Sequence, residues 1–365
     1  MKVVVLHPPL YPVNYDFYNH LGSLVDLIVL QFGEYPSDHV DWTAESLTYK
    51  RKSFELVVIG NGSDSFRNQL NFSFLTHIRK FKPDIVLSIA FWIPSILIAL
   101  LKRTLKCKFI ILTNAILATE KDTSYLRKLL RQITLQKTDC VISASQLSTD
   151  FLNSINKNLN IRLSKQTIDV FQWTKDINSI PDKKQLRKTL KLPENKIVFL
   201  GVGNFSYKKN WMSAISLLEK RNDSILVLIG DGAEKDKYIA YIKENNLGDK
   251  VILVPVKEGL GLKAYYKAAD VFILPSLYEQ YGFVVVEALI CRLPVLCSKN
   301  VGASCLIEDG YNGYLIDPLK GFGEAANDII KNYKMISSNC YLSVKDMTLE
   351  NRAQEFHEIF KSIFS

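Results

Sequence analysis

Short, unbroken apolar runs alternate with stretches in which apolar residues recur every three or four positions, and this alternation persists along most of the chain. Runs such as Val3-Val4-Val5-Leu6 and Val271-Phe272-Ile273-Leu274 are four residues long and closed by turn formers. That pattern predicts strands of a parallel sheet, buried on both faces. The first half reads as strands over 2–6, 26–31, 55–59, 84–89, 108–113 and 139–144, with helices near 65–81, 94–104, 123–137 and 146–157. The second half reads as strands over 196–201, 224–229, 251–254, 271–274 and 294–297, with helices near 209–220, 233–246, 261–268 and 283–291. Residues 171–195 are polar and lysine-rich, contain Pro181 and Pro193, and read as a connector followed by a short helix. Strands alternating with helices predict an α/β fold of two Rossmann-like domains with parallel sheets facing a central cleft. The expected boundaries are 1–180, 181–345 and a last helical segment, 346–365, that crosses back to the first domain.

Composition adds limits. A chain of 365 residues exceeds one ordinary core, which again argues for two domains. No apolar run reaches the roughly 18–20 residues that span a bilayer, and the apolar start is shorter than a signal peptide requires. The six cysteines show no C-x-x-C spacing, and the five histidines are scattered. We therefore expect reduced thiols, no metal site and a cytoplasmic protein.

The net charge of +9 is unevenly spread. Residues 98–140 carry nine lysines and arginines against three acidic residues, and this segment accounts for the basic excess of the first 180 positions. Leu126, Leu129, Leu130 and Ile133 stand at helical spacing among these cations. The pattern suits a helix lying on an anionic membrane surface, or an ordinary amphipathic helix with a solvated basic face. No nucleic-acid-binding motif accompanies the charge, so no nucleic acid is expected.

Candidate chemistry concentrates in the second half. Pro275-Ser276-Leu277-Tyr278-Glu279-Gln280-Tyr281-Gly282-Phe283-Val284-Val285-Val286-Glu287 follows a predicted strand and enters a helix. Glu279 thus stands on a loop at the strand's carboxyl end, where ligands of open α/β sheets bind, and Glu287 lies about one turn into the helix. The N–H groups of Gly282, Phe283 and Val284 are placed to hold an anion. A phosphate between two hydroxyl-seeking carboxylates is the requirement of a sugar nucleotide. Gly203, after the first strand of this half, leads through Asn204 to Lys208 and Lys209, a weak phosphate signal that, taken alone, reads first as a plain tight turn. Gly230-Asp231-Gly232 closes the next strand, and Val256 follows the third, where backbone groups meet a nucleobase in folds of this kind.

Taken in order, these pieces resemble the retaining GT-B glycosyltransferases of glycosyltransferase family 4, also called glycosyl transferases group 1. The family pattern P-S-x-x-E-x-x-G-x-x-x-x-E corresponds to Pro275–Glu287, its G-D-G turn to Gly230–Gly232, and its late N-G segment to Asn312-Gly313-Tyr314-Leu315. The likeness is good over 200–318 and weaker upstream, at Lys82-Pro83-Asp84, at Asp139 and at Asp169. It implies that Glu279 faces the donor sugar, Glu287 holds the ribose, and Lys209 meets the diphosphate together with the amides of Gly282, Phe283 and Val284. It further implies a nucleotide diphosphate sugar as donor and no cofactor or metal. Transfer would proceed with retention to a saccharide, lipid-linked or protein acceptor, in polysaccharide, glycolipid or glycoconjugate synthesis at the inner face of the membrane.

Three positions and one loop depart from the family. Asn204 stands where many members have arginine, Arg292 where a glycine precedes L-P-V, and Asn114 follows Thr113 where a histidine is common. The usual glycine-rich loop after strand one is replaced by 7–15, which contributes His7, Tyr11 and Tyr15. His7, Tyr11 and Asn114 are expected on the acceptor side. Two alternatives stand beside transfer: a silent sugar-nucleotide-binding subunit, and another GT-B enzyme such as a sugar-nucleotide epimerase.

Overall fold

The computed structural model describes residues 1–37, 43–63 and 65–364. They form two compact units, one made of Met1–Gln166 with Thr348–Ser365 and the other of Thr167–Met347. The division falls between 166 and 167 rather than after 180, because helix Val170–Ser179 packs on helices Gly259–Ala268 and Phe283–Ile290. Asp169 starts that helix by accepting the Gln172 amide at 2.8 Å. The stretch read as a connector is therefore helical at both ends, with Lys183–Thr189 as its second helix. Arg187 and Lys183 of that second helix both ion-pair with buried Asp270, whose carboxylate also accepts the Val198 amide at 2.7 Å. Such a network fixes the connector to the sheet.

The first unit is built on seven parallel strands: β1 (Lys2–His7), β2 (Asp26–Phe32), β3 (Glu55–Ile59), β4 (Ile85–Ile89), β5 (Lys108–Thr113), β6 (Cys140–Ser143) and β7 (Ile161–Leu163). Their order is β3-β2-β1-β4-β5-β6-β7. Alternate residues feed two cores, as a strand's period of two requires. Val3, Val5, Leu27 and Val29 face Tyr15, Tyr18, Phe356 and Phe360. Val4, Leu6, Leu30 and Ile111 face Phe74, Ile78, Ile98 and Leu135. The last helix, Leu349–Ser362, packs on helix Pro12–Gly22, with the rings of Phe17 and Phe356 edge to face at 5.1 Å.

The second unit has six parallel strands: β8 (Ile197–Val202), β9 (Ser224–Ile229), β10 (Val251–Val254), β11 (Val271–Leu274), β12 (Val295–Ser298) and β13 (Gly313–Ile316). The order is β10-β9-β8-β11-β12-β13. Both sheets follow the doubly wound scheme, so each has one point where the strand order reverses, between β1 and β4 and between β8 and β11. Ligands of such sheets bind outside the carboxyl ends of those two strands.

Several local expectations change. Residues 12–15 belong to helix Pro12–Gly22 rather than to a loop, with proline at its first position. The single helix expected over 65–81 is two, Phe66–Gln69 and Phe74–Phe81. Lys209 ends a short 3-10 turn, Tyr207–Lys209, and the helix begins afterwards at Trp211. Strands β7 and β13 and helices Phe322–Lys331 and Tyr333–Leu342 were not expected. Among the described residues no helix is long and apolar enough to cross a membrane.

Candidate active site

Gly203 and Lys209 follow β8, and Glu279 and Gly282 follow β11, so these residues stand at the reversal point of the second sheet. Three loops lock together there. The Leu277 amide donates to the Lys208 carbonyl at 2.8 Å, tying the Glu279 loop to the Lys209 turn. The Asn210 side-chain amide donates to the carbonyls of Pro275 (3.2 Å) and Pro318 (2.7 Å). On the other side, Glu279 pairs with the 300–302 segment through its own amide (3.1 Å to the Asn300 carbonyl) and its carbonyl (3.0 Å from the Gly302 amide).

This scaffold brings Lys209 and Glu279 together, with Nζ 2.6 Å from Oε2 and side chains only 10% and 17% exposed. Gly203 makes room for the pair. Its φ is +149°, and a Cβ there would crowd the Lys209 Cε at 3.2 Å. Gly230 is buried against the same turn, where a Cβ would strike the Gly203 carbonyl oxygen. Trp211, fully buried, donates its indole N–H to the Asn204 carbonyl at 3.1 Å, while the exposed Asn204 side chain accepts from Ser206 at 3.1 Å. Lys208 is half-buried, and Val256, 62% exposed, lies on the loop after β10.

Gly282 opens helix Phe283–Ile290 with φ +93°, a left-handed conformation that favours glycine. The amides of Phe283 and Val284 lie in its first turn, where no helical carbonyl lies behind them. Glu287, one turn further, accepts a hydrogen bond from the Tyr266 hydroxyl at 2.7 Å. Burial away from water pushes the Glu287 carboxyl up to about 7, against the opposing effects of Tyr266 and Lys263. Lys263 is itself held by Asp176 at 2.5 Å and lies over the Trp173 ring at 4.4 Å. Tyr266, Lys263 and Trp173 escaped the sequence reading. They come from two other helices, and no local motif marks them.

In the first unit, His7 ends β1, Tyr11 precedes helix Pro12–Gly22, and Asn114 follows β5, so all three fall at the carboxyl edge of that sheet. The His7 ring contacts Tyr18 edge-on at 5.8 Å, and burial lowers its imidazole to about 4, which keeps it neutral near pH 7. Its Nδ1 lies 2.6 Å from the Pro8 carbonyl, as suits a packed histidine. Tyr11 is 37% exposed. Among the described residues no cluster of three or more histidine, cysteine or acidic side chains is arranged to hold a metal, and all six cysteines are free.

Residues 182–339 match the family described as glycosyl transferases group 1. An uncharacterized glycosyltransferase of Methanocaldococcus jannaschii is 31% identical over 150 residues, covering 40% of this chain and 38% of that protein. The Escherichia coli UDP-Gal:alpha-D-GlcNAc-diphosphoundecaprenol alpha-1,3-galactosyltransferase is 30% identical over 165 residues, 42% of each chain. The chain thus spans about two fifths of the length of these curated relatives. Among solved structures, Anabaena HepE in complex with UDP superposes with a TM-score of 0.77 at 18% identity, covering 99% of this chain and 100% of that one. A sucrose-phosphate synthase from Thermosynechococcus elongatus gives 0.76 at 18% identity, covering 100% and 99%. These likenesses give the fold, that of the GT-B glycosyltransferases with two Rossmann-like halves. The likeness to the glycosyl transferases group 1 family lies in residues 182–339, most of the second unit.

Proposed function

We propose that this chain transfers a sugar from a nucleotide diphosphate sugar to an acceptor hydroxyl, with retention at the anomeric carbon and without a metal ion. The observation that carries the proposal is the Lys209–Glu279 pair at the reversal point of the second sheet, beside the first-turn amides of helix Phe283–Ile290. Breaking the sugar–phosphate bond leaves negative charge on the departing diphosphate. A fixed ammonium and backbone amides aimed at that charge lower the barrier without a divalent cation. Glu279 then faces the sugar, and Glu287 accepts the ribose hydroxyls through the oxygen that Tyr266 leaves free. The acceptor oxygen attacks from the face the diphosphate leaves, and its proton passes to the departing phosphate oxygen.

Gly203, Asn204, Lys208, Gly230 and Val256 complete the proposed donor site, and His7, Tyr11 and Asn114 are proposed for the acceptor. The substrates named for the Escherichia coli relative, a UDP-sugar and a diphosphoundecaprenol-linked acceptor, support a lipid-linked or surface-glycan acceptor here. The test is a thermal-shift series with UDP, GDP, ADP and their sugars, followed by turnover of the stabilising donor. One nucleotide diphosphate should raise the melting temperature well above the others. Transfer that survives both Glu279→Ala and Lys209→Ala would refute the site assignment.

A further inference from the structure

Helix Gly259–Ala268 turns Lys263 and Tyr266, three positions apart, to the same face. From that face the Tyr266 hydroxyl reaches Glu287. Lys263 is only 8% exposed, and its ammonium rests between the Asp176 carboxylate at 2.5 Å and the Trp173 ring at 4.4 Å. Trp173 closes the circle. Its ring stands edge-on to Tyr266 at 6.1 Å, and its indole N–H donates to the Cys291 thiol at 3.4 Å, at the end of the helix that carries Glu287. Both Trp173 and Asp176 come from helix Val170–Ser179, the first element of the second unit. Lys267 fastens the far end of that helix, donating to the carbonyls of Ile177 and Ile180 at 2.8 Å each.

Holding two helices together does not require a buried ammonium. Well-packed apolar residues of similar volume often serve a fold as well as a buried ion pair does. What Lys263 faces gives its burial a purpose. Burial holds the Glu287 carboxyl near 7, and Tyr266 and Lys263 are the groups that oppose it. Burial also keeps the Tyr266 hydroxyl neutral, and it pushes the Cys291 thiol up to about 12, so neither carries charge near pH 7. Lys267 acts on that thiol. Lys263 is therefore the cation that Glu287 meets.

We propose that Lys263, held by Asp176 and Trp173, is a positioning residue of the nucleotide site: it fixes Glu287 as a charged acceptor, and the site therefore favours ribonucleotides over 2′-deoxyribonucleotides. The inference rests on the reading that Glu287 meets the ribose. A carboxylate takes a hydroxyl's hydrogen bond about twice as strongly as a neutral acceptor does. Protonation would also turn one of its oxygens into a donor and set it against the ribose hydroxyls.

Calorimetric titration of the full chain with UDP and 2′-deoxy-UDP across pH tests this, with the matching GDP or ADP pair used if that base stabilises the wild type instead. The wild type should prefer the ribonucleotide by about tenfold or more. Lys263→Met keeps the length of the side chain and removes its charge. The midpoint of the pH dependence should then move up by about one unit, so that UDP affinity falls about fivefold at pH 7 and recovers in alkali. The preference over the deoxy form at pH 7 should shrink severalfold, because the deoxynucleotide has less to lose. Asp176→Asn frees the ammonium of its counter-charge and should move the midpoint the other way, giving UDP binding tighter than wild type below pH 7. Simple damage to the fold would weaken both nucleotides at every pH and in both variants, and that result overturns the proposal. An unmoved midpoint and an unchanged preference in Lys263→Met overturn it as well, while leaving the donor site in place. If the wild type binds none of UDP, GDP and ADP, the donor reading falls and takes this inference with it.

Discussion

The Lys209–Glu279 pair allows stability and ligand binding to be driven in opposite directions by one substitution. Glu279→Gln keeps the side chain's shape and removes its charge. At 2.6 Å the pair attracts by about 6 kcal/mol at an effective dielectric of about 20. Much of that is offset by desolvation, and removing one partner of a buried pair typically costs about 3–5 kcal/mol. Because the two side chains keep 10% and 17% of their exposure, we take about 2–3 kcal/mol. In a unit of this size that lowers the melting temperature by about 5–10 °C. The loss falls on the ligand-free protein, which is left with a buried ammonium and no counter-charge. If the diphosphate takes Glu279's place at Lys209, UDP or the preferred nucleotide should bind the variant about tenfold more tightly than the wild type, while transfer falls by about 10²-fold or more. Differential scanning fluorimetry with and without nucleotide, and calorimetric titration, read both effects. An unchanged melting temperature would show that the pair does not persist in solution. Nucleotide affinity that falls along with the melting temperature would refute Lys209 as the diphosphate partner.

Other perturbations probe other parts of the structure. Tyr266→Phe removes the hydrogen bond that favours ionised Glu287, so the midpoint near 7 in the pH dependence of nucleotide affinity should move up by about one unit, with no change expected if Glu287 does not meet the ribose. Because the folded-state value of Glu287 lies above the ordinary 4.5, its contribution to stability is full below pH 4.5 and declines as pH rises through about 7; urea unfolding of wild type and Glu287→Gln across that window should differ in slope accordingly. Gly230→Ala drives a methyl into the Gly203 carbonyl and should cost about 1–3 kcal/mol along with most nucleotide binding, measured by urea midpoint and titration. Phe356→Ala should cost the first unit about 3–5 kcal/mol and separate a two-step melt, with nucleotide still stabilising the second step.

Strands with dense apolar runs were legible because a parallel strand buried on both faces needs nothing else to mark it; β1, β9 and β11 are of this kind. Strand β7 was not, since Ile161-Arg162-Leu163 lies at a sheet edge with two of its three residues exposed. Helix Pro12–Gly22 was hidden by its tyrosines: Tyr15, Tyr18 and Leu21 share one face, but aromatic and polar residues in between obscure the period. Within the site, spacing and family likeness placed Lys209 and Glu279 on neighbouring loops. Their contact depends on three-way loop pairing through Asn210, Asn300 and Gly302, which a linear pattern does not encode. Tyr266 was illegible for the same reason, since it reaches Glu287 from 21 residues away on a different helix.

Helix Leu349–Ser362 fills one core of the first unit against helix Pro12–Gly22, although the whole second unit lies between them in the chain. During synthesis the first seven strands emerge with that core lacking Phe356 and Phe360, while the second unit leaves the ribosome able to close on itself. Domains usually fold in the order they are made. Here the order of completion is reversed, and the apolar side of β1 and β2, covered in part by helix Pro12–Gly22, waits for the rest of its cover until the last helix arrives. Translation that stops before Leu349 would yield a finished second unit tethered to a sticky, half-covered first one. Such a product is a natural substrate for chaperones and proteases.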